Sequence, residues 1–328
     1  MADKIRWGIM GTGNITHKML EGLRALPDAE VAAVGSRARD TAEAFGDRYG
    51  IPRRHATYEA LAADPEVDVI YVASPHSRHK DNTVLALRAG KAVLCEKPFA
   101  INRREAEEMV AVSRETGRFL MEAMWTRFLP AVVQARRWLR EGRIGEAQVV
   151  YADFGFRADY NEESRLFDPA FGGGGLLDVG VYAVSFASMV FGRVPDRIQG
   201  LAEIGPSGVD DVGAAVLGYS GGGLAVVSSA VRANTLQEAR IIGTEGFILL
   251  PSPFWCGTRA VLAVDGAELE THDFPMEGNG YNYQAREVMD SMRAGKVESE
   301  TMPLSETLEI MGTLDAIRAQ WGVKYPME

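Results

Sequence analysis

The sequence predicts an α/β fold in which a doubly wound parallel sheet precedes an α+β domain with a large, mostly antiparallel open sheet. Up to residue 123, short apolar strands alternate with helices, as in a parallel sheet covered on both faces. After residue 146, period-two runs are separated by glycine turns such as 220–223, a pattern typical of antiparallel sheet. The length of 328 residues suits two domains, which we place at 1–123 and 124–328.

The first domain should contain six strands with helices between them. Residues 67–73 (VDVIYVA) are a near-continuous apolar strand, and 92–95 are a shorter one that stops at a charged pair and a proline. After the first strand we expect a helix reaching Leu26. The predicted strands are 5–10, 30–35, 55–58, 67–73, 92–95 and 118–122, and the later helices are 41–49, 58–63, 80–89 and 103–116.

A glycine-rich turn joins the first strand to the first helix. Gly11 permits the tight turn, and Gly13 has no side chain to hold a pyrophosphate away from the backbone. Thr16 stands where the fingerprint has Gly or Ala, so the helix should lie slightly further from the strand. The context favours a dinucleotide-binding Rossmann domain over an ordinary strand–turn–helix. The cofactor-binding residues of this turn are Gly11, Thr12, Gly13, Asn14 and Ile15.

The end of the second strand indicates which dinucleotide is bound. A protein that binds NAD usually has Asp or Glu here for the ribose 2′-hydroxyl, whereas this chain has Ser36 and Arg37. A hydroxyl can donate to a phosphate oxygen, and a guanidinium can bind phosphate through two nitrogens. We therefore expect NADP in preference to NAD; the alternative is a solvated loop.

The fourth and fifth strands also end in polar residues that can reach a cofactor. Ser74, Pro75, His76 and His79 follow the fourth strand, and we assign them to cofactor binding rather than to a metal, since no carboxylate or thiol completes a metal site. Glu96 and Lys97 follow the fifth strand and receive the same assignment. The sharp turn at Lys97–Pro98 predicts a cis peptide bond.

The second domain should open with a helix at 130–141 and continue with strands. The predicted strands are 147–156, 197–204, 211–219, 223–230, 238–243 and 246–250, and the closing helices are 283–293 and 304–321. We expect the last of these to pack on the sheet or back on the first domain. Glycines 172–175 precede a helix at 176–191, and they let the backbone approach a ligand closely. Asp178 and Tyr182, four residues apart, share one face of that helix.

Several of these motifs together resemble one family of oxidoreductases. GTGNIT, SPHSRH, CEKP, MEAMWTRFLP and GGGGLLDVGVYAVSFASMVFG are similar to the glucose–fructose oxidoreductase/inositol dehydrogenase (Gfo/Idh/MocA) family. WTRFLP and the tyrosine of DVGVY look closest to its dimeric trans-dihydrodiol dehydrogenase and NADP-dependent D-xylose dehydrogenase branch. The resemblance covers nearly the whole chain. It implies a Rossmann domain and a second domain whose sheet forms the subunit interface.

The resemblance also implies a catalytic pair. In the family these are the lysine of E-K-P, here Lys97, and the residue at the position of Tyr182, which is tyrosine in this branch. An ammonium beside a phenol makes it a usable general acid/base. Asp178 matches an aspartate that contacts substrate hydroxyls or the catalytic residue. We assign Trp125, Phe156, Tyr160, Asp178, Tyr182 and Trp255 to the substrate, and Trp125, Arg127 and Tyr283 to the cofactor.

Two classes of function remain open. The first is an NADP-dependent dehydrogenase or reductase acting on a sugar, cyclic polyol or dihydrodiol, and the second is a non-catalytic NADP-binding redox sensor or regulator. The net charge of −10 argues against nucleic acid and anionic membrane as partners. We see no signal peptide and no apolar run approaching about 18 residues, and Cys95 and Cys256 lack metal-ligand spacing. A cytoplasmic homodimer, or dimer of dimers, formed through the second-domain sheet is expected.

Overall fold

The computed structural model describes residues 4–328, which divide into two compact units. The first unit contains residues 4–100, Arg104–Trp125 and Glu277–Thr307. The second contains Ile101–Arg103, Thr126–Met276 and Leu308–Glu328. A segment near the C-terminus thus belongs to the first unit.

A parallel sheet of six strands forms the centre of the first unit, in the order β3-β2-β1-β4-β5-β6. Every residue of β4 and β5 is buried, as expected of a parallel sheet covered on both faces. This confirms the predicted Rossmann sheet. The strands are β1 Ile5–Met10, β2 Ala29–Gly35, β3 Arg53–His55, β4 Val69–Val72, β5 Ala92–Cys95 and β6 Leu120–Glu122.

The helices of this unit lie close to their predicted positions. The third strand was expected at 55–58 and ends instead at His55, because Thr57 caps the next helix by accepting a hydrogen bond from the Ala60 N–H. Gly22 allows the first helix to approach the eighth, since a Cβ there would lie 2.8 Å from Asn282 N. The helices are α1 Asn14–Arg24, α2 Arg39–Tyr49, α3 Tyr58–Ala62, α4 His79–Arg88, α5 Arg103–Thr116 and α8 Tyr281–Arg293.

The second unit contains an eight-stranded sheet in the order β14-β13-β12-β11-β7-β10-β9-β8. Its neighbouring strands are antiparallel except for β7 and β10, so the predicted mostly antiparallel sheet is confirmed. The strands are β7 Ala147–Gly155, β8 Arg197–Ile204, β9 Asp210–Gly218, β10 Leu224–Ala230, β11 Ala239–Gly243, β12 Gly246–Leu250, β13 Arg259–Val264 and β14 Glu270–Asp273.

The last two strands, β13 and β14, were not predicted, because neither shows the alternation of apolar and polar residues that indicates a half-buried strand. β13 buries Ala260, Val261 and Leu262 in succession and therefore lacks alternation. β14 is a polar edge strand with three of its four residues exposed.

The helices of the second unit are α6 Pro130–Arg140, α7 Val181–Phe191 and most of α9 Leu304–Trp321. A π-helical turn, Leu176–Gly180, leads directly into α7, which packs against β7, β10 and β11. The prediction that α9 packs on the sheet or on the first domain is confirmed for the sheet, since Trp321 lies against Gly200 of β8 and Gly213 of β9.

The expectation that no segment is long and apolar enough to cross a membrane is wrong. By length and composition alone, Pro169–Phe191 meets both criteria, since an 18-residue window within it has a mean hydropathy of 1.5. Of that window, 78% is buried inside the protein, as in the core helix of a folded domain.

Candidate active site

The glycine turn after β1 has the properties of a dinucleotide site. Gly11 has φ +111° and its Cα lies against the Ala73 backbone, where a Cβ would be 2.7 Å from the carbonyl oxygen. A Cβ at Gly13 would meet no atom within 4 Å, and no side chain caps the N-terminus of α1. Thr16 fills the third fingerprint position, with its hydroxyl 3.3 Å from the Gly11 carbonyl oxygen. The turn thus leaves an open, positively polarised helix end, which fits a pyrophosphate. Thr12, Asn14 and Ile15 lie in the turn and the first residues of α1.

Ser36 and Arg37 follow β2 as predicted, and they differ in exposure. Ser36 is buried, and its N–H donates to the carbonyl oxygen of His55. Arg37 is exposed, and within residues 4–328 its guanidinium makes no hydrogen bond or ion pair. Arg39, two residues on, is engaged with Glu43 at 3.8 Å. Arg37 is therefore available to an anionic ligand.

The segment after β4 is tied to the turn after β5. His79 is fully buried, and its Nδ1 and Nε2 lie 2.8 and 2.9 Å from the carbonyl oxygens of Pro98 and Ser74. The Ser74 hydroxyl accepts a hydrogen bond from Asn82 at 2.8 Å, and the His76 ring meets that of His79 edge-on at 5.6 Å. His79 therefore ties the backbone after β4, at Ser74, to the backbone after Lys97, at Pro98. Pro75 leads into the short helical turn at His76–Arg78.

The side chain of Glu96 stabilises the turn that contains Lys97. Its carboxylate accepts hydrogen bonds from the Tyr71 hydroxyl and, at 3.1 Å, from the Lys97 N–H. Lys97 itself is partly exposed, and the Lys97–Pro98 bond is cis, as predicted. Tyr71 was not singled out in the sequence, because an aromatic residue inside a buried strand gives no sign of its hydroxyl partner.

Trp125 is buried and stacks on Tyr281 with 4.3 Å between ring centroids. Tyr281 was missed because it begins α8, far from Trp125 in the chain. The residue chosen instead was Tyr283, whose hydroxyl accepts a hydrogen bond from the Glu277 N–H at 3.0 Å. Cofactor contact by Trp125 and Tyr283 stays a prediction.

In the second unit, Asp178 and Tyr182 lie on either side of the junction between the π turn and α7. Val181 N–H bonds to the Leu176 carbonyl, five residues back, so the turn is wider than an α-helical one. Such π turns occur often at functional sites. Both side chains are largely buried, with residue exposures of 6% each.

Aromatic rings surround the phenol ring of Tyr182. Phe154 meets it edge-on at 5.3 Å, and Trp255 lies 6.4 Å away. Phe154 and Trp255 are themselves stacked at 4.7 Å with an interplanar angle of 6°. Phe156 extends this group through an edge contact with Phe154. The structure therefore brings Phe156, Tyr182 and Trp255 together as an aromatic wall.

Tyr160 lies elsewhere, packed on Phe167 at 5.1 Å in a small apolar cluster with Leu166 and Val231. This cluster anchors the loop 161–171. From that loop Arg165 reaches Asp178, with 3.0 Å between Nη1 and Oδ1. Arg165 was missed, since nothing in its local sequence marks it as functional.

Asp210, at the start of β9, holds the other side of the π turn. Its Oδ2 accepts a hydrogen bond from the Leu176 N–H at 2.6 Å, while Oδ1 has no hydrogen-bond partner among the described residues. Burial, with a smaller contribution from the charge of Asp211, raises the pKa of Asp210 to about 7. Asp210 was missed because its partner lies 34 residues away.

Arg127 is buried and supports α7 directly. Its Nε and Nη2 donate to the hydroxyl and the carbonyl oxygen of Ser185, at 3.1 and 2.7 Å. Its assignment to the cofactor stays a prediction. Across residues 4–328, no three His, Cys, Asp or Glu side chains converge in a way that could hold a metal ion.

Comparisons with known proteins show the family to which the chain belongs. Residues 5–124 match the model of the oxidoreductase family with an NAD-binding Rossmann fold (GFO_IDH_MocA), and residues 132–249 match the GFO/IDH/MocA C-terminal domain. The mouse (Mus musculus) trans-1,2-dihydrobenzene-1,2-diol dehydrogenase is 39% identical, with 99% of each chain covered.

Solved structures give the same result. KijD10, a 3-ketoreductase from Actinomadura kijaniata solved with NADP and TDP-benzene, is 27% identical with a TM-score of 0.86, covering 97% of this chain and 98% of that one. The aldose-aldose oxidoreductase from Caulobacter crescentus is 26% identical with a TM-score of 0.89, covering 97% of both chains. The chain belongs to the Gfo/Idh/MocA family of oxidoreductases, with an NAD(P)-binding Rossmann domain.

Proposed function

We propose that the chain is an NADP-dependent enzyme that transfers hydride to or from the CH–OH or C=O group of a sugar, cyclic polyol or dihydrodiol. The observation that carries this proposal is the surroundings of Tyr182. Its phenol lies against an aromatic wall and one turn beyond a buried carboxylate, Asp178. Aromatic faces suit both the C–H surface of a sugar ring and the ring of a dihydrodiol.

In the proposed mechanism, Tyr182 takes the proton from the substrate hydroxyl during oxidation and returns it during reduction. The nicotinamide, when bound, accepts or supplies the hydride. Lys97 provides the positive charge that stabilises the phenolate, and Glu96 with Tyr71 holds the lysine backbone in place. Asp178 accepts a hydrogen bond from a second substrate hydroxyl and so orients the reacting carbon.

NADP is proposed over NAD because Arg37 is exposed and unengaged at the carboxyl end of β2. Ser36 precedes it, and we propose that its hydroxyl and the Arg37 guanidinium together bind the 2′-phosphate. KijD10, the relative solved with NADP, is consistent with this choice.

A non-catalytic NADP-binding sensor or regulator is the alternative. It would need neither Lys97 nor Tyr182, and the aromatic wall around the phenol would have no catalytic purpose. The presence of both residues favours the enzyme.

The test is turnover with a substrate panel of aldoses, 1,5-anhydrofructose, inososes, diketones and trans-dihydrodiols, followed by absorbance of the reduced nicotinamide. We expect Tyr182→Phe to lower kcat by ~10²–10⁴ with unchanged NADP affinity, the usual contribution of general acid/base catalysis. Lys97→Met should be at least as harmful, and the double variant little worse than the poorer single one. Tyr219→Phe, at a buried tyrosine of the same unit that stacks on Phe191, is the matched control. Near-normal turnover by Tyr182→Phe would refute the proposal.

We further propose a cytoplasmic homodimer, or dimer of dimers, formed through the open face of β7, β10, β9 and β8. Apolar side chains are exposed along this face, including Tyr151, Val216 and Leu201, beside a groove of about 560 Å³. Val226 pairs with both Tyr151 and Val216, so the apolar row crosses adjacent strands. Light scattering at micromolar concentration should give at least twice the 35.7 kDa chain mass. Val216→Glu should lower it, whereas Leu269→Glu, exposed elsewhere, should not.

A further inference from the structure

We propose that Arg165 is a positioning residue for substrate, acting through Asp178. The inference rests on the proposed function, in which Asp178 binds a substrate hydroxyl. Arg165 Nη1 lies 3.0 Å from Asp178 Oδ1, within hydrogen-bond distance of the carboxylate one turn before Tyr182. Its effect is to keep that carboxylate ionised and to direct one oxygen, so that the carboxylate accepts a hydrogen bond rather than donating one.

The loop that carries Arg165 is anchored on both sides of it. Leu166 and Phe167 are buried, at 8% and 1% exposure, in the cluster with Val231. Ser164 closes the loop, because its carbonyl accepts hydrogen bonds from the N–H groups of Phe167 and Asp168. Arg165, between these anchors, exposes 55% of its side chain. The position of the Arg165 guanidinium is therefore set by the anchored backbone of the loop and not by burial of the side chain.

The glycine run before α7 is what lets this loop lie against the π turn. Gly174 N–H donates to the Leu166 carbonyl at 2.8 Å, and Gly173 N–H donates to that of Asp168 at 3.1 Å. A Cβ at Gly173 would lie 2.6 Å from the Leu166 oxygen and 3.0 Å from the Arg165 oxygen. Loop and π turn are thus joined backbone to backbone, and this places Arg165 at Asp178 without a long reach.

Two side chains from other elements of the second unit meet this helix start. Arg165 comes from the loop and bonds to Asp178, while Asp210 comes from β9 and accepts a hydrogen bond from the Leu176 N–H. Because burial raises the pKa of Asp210 to about 7, Asp210 is mostly neutral on the acidic limb and does not oppose the effect of Arg165 on Asp178 there. The partial positive charge of the helix N-terminus acts in the same direction as Arg165.

The test is the pH dependence of kcat/KM for a vicinal diol substrate of the wild-type holoenzyme, measured against Arg165→Met, Arg165→Lys and Asp178→Asn. Loss of a cation at this distance should move the acidic limb up by about one pH unit in Arg165→Met, or about tenfold in rate on that limb. Arg165→Lys should restore most of the profile. On the alkaline plateau, the loss of kcat/KM in Arg165→Met should be at most about fivefold. This loss should appear in KM more than in kcat, and it should be absent for a mono-alcohol.

Controls separate this role from a structural one. At neutral pH, Arg165→Met should lower the stability in thermal unfolding only by the amount linked to a shift of about one unit in the pKa of Asp178. At a pH where Asp178 is protonated, thermal unfolding of Arg165→Met should match the wild type, and a loss that persists there would indicate a structural role. Arg157→Met changes an exposed arginine that lies before the loop 161–171 and should leave the profile unchanged. In the Asp178→Asn background, Arg165→Met should have no further effect.

The outcomes distinguish this inference from the proposed function. An unchanged acidic limb in Arg165→Met beside an altered Asp178→Asn profile would overturn the role of Arg165 alone. A wild-type profile for Asp178→Asn would remove the proposed role of Asp178, and the inference with it.

Discussion

Two helices of this chain begin at glycine-rich turns, and the space beside the glycines is used differently. At Gly13 a Cβ would meet no atom within 4 Å, whereas at Gly173 it would lie 2.6 Å from the Leu166 carbonyl oxygen. At Gly174 it would overlap Asp210 Oδ1. The first turn leaves a helix end open for a ligand, and the second is filled by the protein itself. A glycine before a helix therefore indicates close approach without identifying what approaches.

The largest effect is expected at the filled turn. Gly174 has φ +106°, and a Cβ would collide with the buried Asp210 carboxylate, so Gly174→Ala should lower the free energy of unfolding by about 3 kcal/mol or more. Gly192→Ala is the matched control. It ends α7 at φ +61° with no atom within 4 Å, and should cost only about 1 kcal/mol. Equal losses in chemical denaturation would contradict the comparison.

The next effect concerns the ionisation of Asp210, the carboxylic acid next to Gly174. Because burial raises the pKa of Asp210 to about 7, the folded protein binds a proton there that the unfolded chain has lost above about pH 4. This contribution to stability is full below pH 4 and is lost as the pH rises through 7. We expect stability to fall by roughly 3 kcal/mol between about pH 4 and pH 7 relative to Asp210→Asn. Parallel stability profiles for the two proteins would show that Asp210 does not titrate there.

At the glycine turn after β1, a glycine-to-alanine substitution should leave the stability nearly unchanged and weaken the binding of NADP. Gly13 has φ −74°, which alanine adopts without strain, so Gly13→Ala should change the free energy of unfolding by about 0.5 kcal/mol or less. The added methyl group would occupy the approach of the pyrophosphate. We expect NADP affinity, measured by calorimetry, to fall about tenfold or more. Unchanged affinity would mean that the dinucleotide binds elsewhere.

The smallest effect is expected at Arg37, after β2, and it should concern the binding of NADP but not of NAD. Arg37→Ala should raise the KM for NADP about tenfold and leave that for NAD nearly unchanged, since only NADP has the 2′-phosphate. Arg39→Ala, which removes an arginine paired with Glu43, is the control and should affect neither. Equal losses for both cofactors would refute the assignment.

How far the sequence predicts this protein depends on the range of the interactions involved. Strands such as Ile5–Met10 and Arg197–Ile204 have the predicted bounds, because hydrophobic periodicity and turn residues are local signals. The cis bond at Lys97–Pro98 was predicted from its own short segment. By contrast, β13 lacks the alternation of buried and exposed residues. No local pattern in the sequence predicts that β7 pairs in parallel with β10.

The candidate site divides in the same way. The sequence could place Asp178 and Tyr182 one helical turn apart, because that spacing belongs to one helix. It could not identify Tyr281 as the ring that stacks on Trp125, or Phe154 as the partner of Trp255, since these pairs are separated by more than a hundred residues. Arg165 and Asp210 were missed because nothing in their local sequence identifies the groups they contact, which are the Asp178 carboxylate and the Leu176 N–H.

The sequence by itself determined the two sheet types, the dinucleotide fingerprint and the spacing of the residues proposed for catalysis. Each of these depends on backbone preference or periodicity within a few turns of chain. Only the tertiary structure decided what lies beside the glycines of the second turn, which cation meets Asp178 and which rings enclose Tyr182. Those contacts join distant segments, and they form only once the β9 strand, the loop 161–171 and the π turn are packed together.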